Sequence, residues 1–458
     1  MQFTHRPFDP HATIAAIATP PGEGGVAIIR ISGSQALDIA AKVFSKSIHM
    51  LSSHTVSFGK FLNHQGNAID EGLALVMRAP KSYTGENVVE FHCHGGHLIS
   101  RHLLDAVLFA GAKMAEPGEF TRKAFLNGKL DLAQAEAVQS LIAAKNTLAL
   151  KAAEQQLDGK LSKRIKEFQQ ALTDIAAILE AWVDFPEEGL EFASLEEILE
   201  TLHRIHFEMK TLGNTFGHGQ MLHQGFSLCL AGKPNAGKSS LMNTLLGQDR
   251  AIVTPIPGTT RDVLQEDFTI GTLHFRLTDT AGLRHTEEII EQEGIRRTHK
   301  AMANADLVLF VIDSTLGLQE EDLELLSSLP KNKTLLVWNK SDLPNQMPLP
   351  EGPFPLIKLS AIQGSGIEDL KELIQTTLWN RTLPDKQEIL LTNARHYEAL
   401  MRSIQSIETL LAGLHNHVSP EFLSLDIRQA LLELGTIIGS DITEDILSAI
   451  FSKFCVGK

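Results

Sequence analysis

The stretch Gly232-Lys-Pro-Asn-Ala-Gly-Lys-Ser239 decides the fold of the chain around it. It follows an apolar run over 226–231 and opens into a helix-like segment over 240–246, so the order is strand, glycine loop and helix. Glycines let backbone N–H groups surround a phosphate, and the helix N-terminus adds partial positive charge. Lys238 supplies a charge for the β- and γ-phosphates, and the Ser239 hydroxyl can bind Mg²⁺. The stretch predicts a phosphate-binding P-loop.

The pieces that must accompany a P-loop follow it in order. The stretch Pro257-Gly-Thr-Thr-Arg-Asp262 supplies a threonine hydroxyl that can complete the Mg²⁺ shell. An alternating strand over 273–277 leads to Asp279-Thr-Ala-Gly282, which places a carboxylate near the metal's water and an N–H near the γ-phosphate. Three further strands are predicted over 307–312, 335–338 and 356–359.

Recognition of the base is predicted at the ends of the last two strands. Asp342 has two acceptors that match the N1–H and N2–H₂ donors of guanine, and the Lys340 stem can lie over the base. The backbone of Ser360-Ala361 can meet guanine O6, although Ile362 stands where a Lys or Arg is usual. The pieces together predict a guanine-nucleotide switch domain. Its nucleotide-binding residues are predicted to be Asn235, Ala236, Gly237, Lys238, Ser239, Ser240, Thr254, Thr259, Thr260, Asp279, Thr280, Ala281, Gly282, Asn339, Lys340, Asp342, Ser360 and Ala361.

The residue that usually orients the attacking water is missing. Ras-like GTPases have a Gln directly after Asp-x-x-Gly, whereas this chain has Leu283. Help with hydrolysis must therefore come from another residue, a cation or a partner. The acidic run Glu287, Glu288, Glu291 and Glu293 offers candidates, and a solvated helix start accounts for three of the four.

Length and composition limit the classes of protein. A chain of 458 residues predicts about three domains. With 43% hydrophobic and 21% charged residues, it has the composition of an ordinary soluble protein. No apolar run approaches ~20 residues and the first residues lack the apolar core of a signal peptide, so we expect a cytoplasmic protein without a membrane partner. Three cysteines, Cys93, Cys229 and Cys455, fit a reducing compartment.

The net charge of −14 argues against a protein that coats nucleic acid broadly. It leaves room for a local basic face or for a partner that carries RNA. Two clusters are candidates for such a face: Lys160, Lys163, Arg164 and Lys166, and Arg122, Lys123 and Lys129. A solvated helix surface explains each cluster at least as well.

The spacing of apolar residues predicts four segments. Residues 1–127 are predicted to be α/β, with strands over 13–19, 26–31, 73–77 and 88–92 and a helix over 98–109. Residues 128–220 are predicted to be helical, with bundle seams over 161–182 and 195–212. The GTPase module takes 221–383, and helices return over 384–458, where Ser419-Pro420 predicts a cap and first turn.

This order predicts a multidomain fold with α/β and all-α parts. The economical architecture is an N-terminal α/β domain followed by a helical bundle domain into which a Ras-like P-loop GTPase domain is inserted.

Two stretches that contain cysteine raise questions of chemistry. His92-Cys93-His94-Gly-Gly-His97 looks like a metal cluster, but neighbouring strand residues point to opposite faces and four tetrahedral ligands are lacking. Structural or pocket-lining histidines are the favoured interpretation. Cys455 lies between Lys453 and Lys458, and nearby cations make a thiol a nucleophile or acid. A small buried side chain is the alternative interpretation of Cys455.

With these motifs assembled, the chain resembles the family of tRNA-modification GTPases called MnmE, also TrmE or ThdF. The resemblance covers essentially all of the chain, and its specific marks lie mostly outside the GTPase motifs. The marks are the segments 18–22 (ATPPG), 24–33 (GGVAIIRISG), 84–90 (TGENVVE), 117–122 (PGEFTR), 124–136 (AFLNGKLDLAQAE) and 454–458 (FCVGK), together with Asn235 inside the P-loop.

The resemblance implies a folate site. The N-terminal domain would bind a one-carbon folate, 5-formyl- or 5,10-methylene-tetrahydrofolate, between the two N-terminal domains of a homodimer. Its ligands map to Arg30, Glu90, Lys129 and Lys458. Cations facing the glutamate carboxylates of the folate, and a carboxylate facing the N–H groups of its pterin, make chemical sense. Cys455 maps to the proposed reactive thiol of the family.

The resemblance also implies how hydrolysis is activated. The GTPase domains would meet across the dimer, with K⁺ in place of an arginine finger. The K⁺ ligands map to Asn235, Thr254, Ile256 and Thr259, and the Mg²⁺ ligands to Ser239 and Thr260. The water-orienting glutamate maps to Glu291, which is consistent with Leu283 being inert.

The implied product is an aminomethyl or carboxymethylaminomethyl group at C5 of the wobble uridine of certain tRNAs. The implied partner is MnmG (GidA), which carries FAD and forms a heterotetramer or larger complex with the dimer. A ribosome-assembly GTPase that acts as a timer on rRNA, like Era or EngA, is the competing hypothesis. Those proteins resemble only 221–383, and this chain lacks the Gly-x-x-Gly loop of a KH domain in a basic setting. A switch scaffold without chemistry of its own is a third hypothesis.

Overall fold

The computed structural model describes residues 8–184, 194–248, 266–271, 273–278, 302–344, 346–382, 389–440 and 442–458. Contacts divide these residues into two compact units. The first unit takes the described residues within Met1–Gln139, Gln156–Leu202 and Arg402–Lys458, and the second takes those within Ser140–Gln155 and His203–Met401. None of the described helices combines the length and apolar composition that a membrane span requires.

The strands are β1 (Ile14–Ile17), β2 (Val26–Ser32), β3 (Thr55–Leu62), β4 (Ala68–Met77), β5 (Val88–His94), β6 (Lys113–Met114), β7 (Phe226–Ala231), β8 (Glu266–Ile270), β9 (Leu273–Thr278), β10 (Leu307–Asp313), β11 (Thr334–Asn339) and β12 (Leu356–Lys358). The described helices are α1 (Ala36–Val43), α2 (His97–Phe109), α3 (Glu119–Leu126), α4 (Leu132–Ala143), α5 (Thr147–Leu157), α6 (Lys160–Asp184), α7 (Leu195–Asn214), α8 (Phe216–Gln224), α9 (Lys238–Gln248), α10 (Glu320–Ser327), α11 (Ile367–Thr382), α12 (Ala394–His415), α13 (Pro420–Ile438) and α14 (Glu444–Phe451).

The first unit contains a six-stranded sheet with the order β3-β4-β5-β2-β1-β6. Its neighbours are antiparallel except β1 and β6, which run parallel. Helices α1 and α2 pack on the sheet, and Phe44, Phe61 and Phe91 form an aromatic cluster with ring centroids 5.1 to 5.9 Å apart. The four predicted strands and the helix near 98–109 are found, whereas α1, β3 and β6 were not predicted.

The helical part of the first unit pairs α6 with α13. The predicted seam of α6 is buried, as at Leu161, Ile165 and Phe168. Helix α13 starts as predicted, with Ser419 as the cap and a proline in the first turn. It ends at Gly439, where φ is +88° and a Cβ would lie 2.9 Å from the Leu132 Cβ, so only glycine fits this end.

The second unit contains a six-stranded sheet with the order β12-β11-β10-β7-β9-β8. All neighbours are parallel except β8 and β9. Strand β11 is buried along its whole length and β10 up to Asp313, as in a parallel sheet with both faces covered. The predicted strands of this module are found, and the antiparallel edge strand β8 was not predicted. Because parallel strands end at one edge, the loops after β7, β10, β11 and β12 meet there.

A buried histidine lies on β9, the strand next to the edge strand β8 of this sheet. His274 on β9 is 1% exposed, and neither ring nitrogen has a hydrogen-bond partner among the described residues. Its Nε2 lies 3.6 Å from Asp267 Oδ2, and Asp267 is paired with Lys145. Burial lowers the pKa of His274, and the Asp267 carboxylate opposes this only in part. The imidazole is therefore held in its neutral form.

We expect His274 to make the second unit sensitive to acid. Because its pKa is lower in the folded than in the unfolded state, the unfolded chain takes up the extra proton as pH falls below about 6.5. Stability should therefore fall as the pH drops through about 6.5 toward the lower pKa of the folded state, and His274→Gln should flatten this dependence. Urea unfolding midpoints across this range check it, with the half-exposed His218→Gln as control. Parallel curves for the parent and His274→Gln would contradict the assignment.

Candidate functional site

The loop between β7 and α9 has the backbone of a phosphate-binding loop. Gly232, Asn235 and Gly237 have φ values of +130°, +63° and +97°. A Cβ at Gly232 would lie 2.2 Å from the Val311 carbonyl oxygen, and one at Gly237 would lie 2.1 Å from Asn339 Nδ2. Both glycines are therefore required by close approach as well as by conformation.

The lysine of this loop is held by the loop itself. Lys238 Nζ donates to the carbonyl oxygens of Gly232 and Lys233, each at 2.8 Å. Burial lowers the pKa of Lys238. An ammonium partly withdrawn from water interacts more strongly with a phosphate placed in the loop. Next to it, Ser239 is exposed in the first turn of α9, where its hydroxyl can bind a metal.

Asn339 connects the P-loop to the loop after β12. Its side chain is buried, with Nδ2 donating to the Ala236 carbonyl at 2.8 Å and Oδ1 accepting from the Ala361 N–H at 3.0 Å. Thr244 on α9 adds a second link, because its hydroxyl donates to the Ala361 carbonyl at 2.8 Å. The sequence predicted Asn339 as a nucleotide contact but gave no signal for Thr244, whose role depends on a distant loop.

The predicted base-recognition residues lie together. Ser360 Oγ donates to Asp342 Oδ1 at 2.6 Å, which leaves Oδ2 of this carboxylate for a donor of the base. Lys340 has φ of +64°, and its Nζ donates to Asp313 Oδ2 at 2.6 Å. Burial raises the pKa of Asp313, but hydrogen bonds from Lys340 and Thr315 outweigh it, so that the pKa is lowered. Asp313 was not predicted from the sequence.

Part of the predicted nucleotide site lies outside the described residues. This applies to Thr254, Ile256, Thr259, Thr260, Asp279, Thr280, Ala281, Gly282 and Glu291, and to Leu283 and its acidic neighbours. Ile362, the departure after Ser360-Ala361, is 78% exposed.

A second cluster of charges lies in the first unit. Arg30 on β2 lies opposite Glu90 on the neighbouring strand β5, and its Nε donates to Glu90 Oε1 at 2.7 Å. Its Nη1 donates to the Gly457 carbonyl at 3.1 Å. The guanidinium lies 5.6 Å from the Phe120 ring centroid. The cluster thus joins two strands to the segment 452–458.

The segment 452–458 is fixed by backbone contacts. The Phe120 N–H donates to the Lys458 carbonyl at 3.2 Å, and the Gly118 N–H donates to the Cys455 carbonyl at 3.3 Å. Burial, followed by the charge of Arg30, lowers the pKa of Lys458, while Glu90 opposes this. Lys458 follows Gly457, whose carbonyl accepts from Arg30, and Cys455 is exposed on the same segment. This proximity is invisible in the sequence, since 427 residues separate Arg30 from Gly457.

Lys129, the fourth predicted ligand, contacts a different segment. Its Nζ donates to the Pro80 carbonyl at 3.3 Å, and its stem passes Gly85. The hydrogen bonds of the described residues do not join it to Arg30 or Glu90.

The stretch around Cys93 has structural contacts. Cys93 is buried, and burial raises the pKa of its thiol to about 11. His94 Nδ1 lies 2.9 Å from Asp70 Oδ1, and His92 Nε2 lies 3.5 Å from Glu90 Oε2. Among the described residues, no three His, Cys, Asp or Glu side chains form a group that could hold a metal ion.

Two of the three residues in one predicted basic cluster, Arg122 and Lys123, are part of the core, whereas Lys129 is exposed. Arg122 is 5% exposed, is paired with Glu444 and has its guanidinium 3.6 Å from the Phe8 ring centroid. Lys123 is 2% exposed and lies 2.9 Å from Glu86. Interpreting these two side chains as a solvated helix surface, or as an accessible basic face, is therefore wrong.

Comparison with known proteins gives the family. A family model described as "GTP-binding protein TrmE N-terminus" matches residues 13–129, and one described as "MnmE helical domain" matches residues 132–455. The "tRNA modification GTPase MnmE" of Protochlamydia amoebophila is 59% identical over 459 residues, which is 100% of this chain and 100% of that protein. The chain belongs to the MnmE family of tRNA modification GTPases.

Other relatives carry the same name. The "tRNA modification GTPase MnmE" of Chlamydia trachomatis serovar L2 is 44% identical over 449 residues, 97% of this chain and 99% of that protein. Among solved structures, the G domain of the T. maritima FeoB iron transporter is 29% identical, with a TM-score of 0.25, over 33% of this chain and 98% of that one. Membership of the MnmE family confirms the predicted fold class, α/β and helical parts with a P-loop GTPase domain, and makes the chain a GTPase.

In this MnmE-family chain, Asn339→Ala should loosen the nucleotide loops. The change leaves the buried Ala236 carbonyl and Ala361 N–H without partners, which we expect to cost about 2 kcal/mol or more. GDP affinity and the urea midpoint of the second unit should both fall. The exposed Asn332→Ala, just before the same strand, is the control and should leave both unchanged. Unchanged GDP affinity in Asn339→Ala would show that the loops hold without this amide.

Proposed function

We propose that this chain is the GTP-hydrolysing component of an enzyme that modifies the wobble uridine of certain tRNAs. With a flavin-containing MnmG partner, it adds an aminomethyl or carboxymethylaminomethyl group at C5, using a one-carbon folate. The observation that carries this proposal is the cluster of Arg30, Glu90 and the segment 452–458 in a chain that also has the nucleotide loops. A GTPase that only times ribosome assembly has no need of such a second charged site.

The nucleotide site is proposed on the loops at the carboxyl edge of the second sheet. The P-loop holds the phosphates, and Asp342 reads guanine. Mg²⁺ is proposed on Ser239 and Thr260, and K⁺ on Asn235, Thr254, Ile256 and Thr259. Asn235 and Ser239 are both exposed on the P-loop, which supports these two assignments. When bound, such cations neutralise phosphate charge. Glu291 is proposed to orient the attacking water, since Leu283 has no polar group.

The folate site is proposed around the Arg30–Glu90 pair. Arg30 is paired with Glu90, and Lys458 adds a second cation on the segment that Arg30 holds, so the cluster has positive charge to offer a ligand with carboxylates. Glu90 can accept from N–H groups of a pterin, and Lys129 is proposed as a further cation for the ligand. Cys455 is proposed as a reactive thiol of the modification chemistry, because it is exposed on the segment that Arg30 holds.

The proposed domains follow the sequence prediction: 1–127 for folate binding and dimerisation, 128–220 and 384–458 for the helical domain, and 221–383 for the inserted GTPase domain. The proposed assembly is a homodimer with MnmG in a heterotetramer or larger complex, acting on tRNA in the cytoplasm. The full-length likeness to proteins named tRNA modification GTPase supports the substrate.

We expect Asp342→Asn to exchange guanine for xanthine specificity. The Oδ1 that accepts from Ser360 survives, but Oδ2 becomes an amide donor that faces the donors of guanine. GTP affinity should fall by about 3 kcal/mol, roughly 150-fold. Xanthosine triphosphate should bind better than in the parent, because its O2 accepts from the new amide. Titrations of both nucleotides measure this, with the exposed Asp369→Asn as control; unchanged GTP affinity would refute the assignment.

The function itself is tested in a strain that lacks this chain. Nucleoside analysis of tRNA should show loss of the wobble modification and its return with the parent protein. We expect Arg30→Ala and Cys455→Ser to fail to restore it while both proteins keep their GTP hydrolysis, because neither residue belongs to the nucleotide loops. The exposed Arg101→Ala is the control and should restore the modification.

Calorimetry with 5-formyltetrahydrofolate separates the two variants. Arg30→Ala should lose binding, whereas Cys455→Ser should keep it, since the thiol is proposed to act in chemistry. Normal wobble uridine in the deletion strain would overturn the function, and full folate affinity in Arg30→Ala would overturn the placement of the folate.

A further inference from the structure

A groove of about 500 Å³ lies between the start of α4 and the first turns of α6. We call it the α6 groove. Lys163, Lys166 and Glu167 line it from one face of α6, at the spacing of successive helical turns. Asp131, just before α4, and Gln134 on α4 line the opposite side, and Ser162 also belongs to the lining. All of these residues belong to the first unit.

Ser162 has a hydroxyl that the fold leaves unused. The residue is the third of α6 and is 3% exposed, yet its Oγ has no hydrogen-bond partner among the described residues. A serine inside a helix ordinarily donates to a carbonyl one turn earlier, and an unpaired buried hydroxyl costs free energy. Such a group in the lining of a groove needs an explanation, and a bound acceptor would supply one.

The helix end adds further unused donors. The first N–H groups of a helix have no partner within it, and Gly159, just before α6, has no side chain that could cap them. The partial positive charge of a 25-residue helix is concentrated at the same place. Anions bind where these features coincide with a suitable side chain.

The charges of the α6 groove favour an anion. Lys163 and Lys166 are exposed, and neither has an ion pair within the part of the chain that the structure describes. The two carboxylates are already engaged. Asp131 Oδ1 accepts from the Gln134 N–H at 2.9 Å at the start of α4, and Glu167 Oε2 accepts from Arg164 Nη1 at 2.9 Å. Because Arg164 offsets the charge of Glu167, the two lysines outnumber the one remaining carboxylate, Asp131, and the net charge of the groove is positive.

We propose that the α6 groove binds a backbone phosphate of RNA, with Lys163, Lys166, the Ser162 hydroxyl and the start of α6 as its donors. No aromatic side chain is among the residues that line the groove, so it offers phosphate contact without stacking of a base. Within a chain of net charge −14, such a contact is local and positions the RNA. The proposal rests on the proposed tRNA substrate and assigns it a surface.

The contrast with the buried basic cluster supports this choice. Arg122 and Lys123 are committed to Glu444 and Glu86 inside the first unit. Lys163 and Lys166 of α6 also belong to a basic cluster of the sequence, but their side chains are exposed. They lie beside the Ser162 hydroxyl, which has no hydrogen-bond partner among the described residues.

The test uses the full chain and unmodified tRNA. In titrations at about 0.05 M and about 0.2 M salt, the double variant Lys163→Gln/Lys166→Gln should bind tRNA about tenfold more weakly than the parent. The slope of log affinity against log salt should fall by about two, one for each lysine. GTP hydrolysis should not change. The exposed pair Lys46→Gln/Lys60→Gln removes the same charge from the first unit and should leave the salt slope as in the parent.

A second variant separates binding from structure. Ser162→Ala removes an unpaired buried hydroxyl, so it should leave the unfolding midpoint unchanged or raised, while tRNA affinity falls about threefold. If Ser162 were only structural, its variant would bind tRNA like the parent.

Two outcomes would overturn the proposal while the proposed function stands. One is that the Lys163→Gln/Lys166→Gln variant binds tRNA with the same affinity and the same salt slope as the parent. The other is binding of inorganic phosphate that depends on these lysines when tRNA binding does not, which would make the groove a small-anion site. If the parent itself does not bind tRNA and the deletion strain keeps its wobble modification, the proposed function fails, and the RNA assignment fails with it.

Discussion

The buried amide of Asn339 is the contact on which the nucleotide loops depend. Parallel strands bring their carboxyl ends to one edge of the sheet, but this alone does not fix the loops to one another. Asn339 Nδ2 donates to the Ala236 carbonyl of the P-loop, and Asn339 Oδ1 accepts from the Ala361 N–H in the loop after β12. Because an amide out of water must have both groups satisfied, the two loops keep one relative position. Asp342 is held by the second of these loops through Ser360.

In the first unit, an ion pair fixes the position of the segment 452–458 against the sheet. Arg30 and Glu90 lie in register on neighbouring antiparallel strands, which fixes a guanidinium on one face of the sheet. That guanidinium then holds the carbonyl of Gly457, and Lys458 is carried to the same place. Gly457 has φ of +93°, and a Cβ there would lie 2.6 Å from the Ile17 carbonyl oxygen. A glycine is therefore what allows the segment with Cys455 to lie against the sheet.

Burial decides what a basic cluster does. Lys123 and Lys163 are both lysines on helices of the first unit, but Lys123 is 2% exposed and paired, whereas Lys163 is exposed in a groove. A charge taken out of water must be compensated by partners, so the ion pair of Lys123 with Glu86 is a structural contact. An exposed lysine beside an unpaired hydroxyl and a helix start retains its charge for a ligand.

The sequence by itself determined the P-loop, the strand ends that carry Asn339 and Asp342, and the long helices α6 and α13. These features are local, because glycine spacing, strand alternation and helical periodicity act over a few residues. Edge strands such as β8 were not predicted, since their pairing depends on a neighbouring strand. Only the tertiary structure brought Gly457 to Arg30, buried Arg122 and left Ser162 without a hydrogen-bond partner among the described residues. Each of these outcomes depends on contacts between distant segments, which no local pattern encodes.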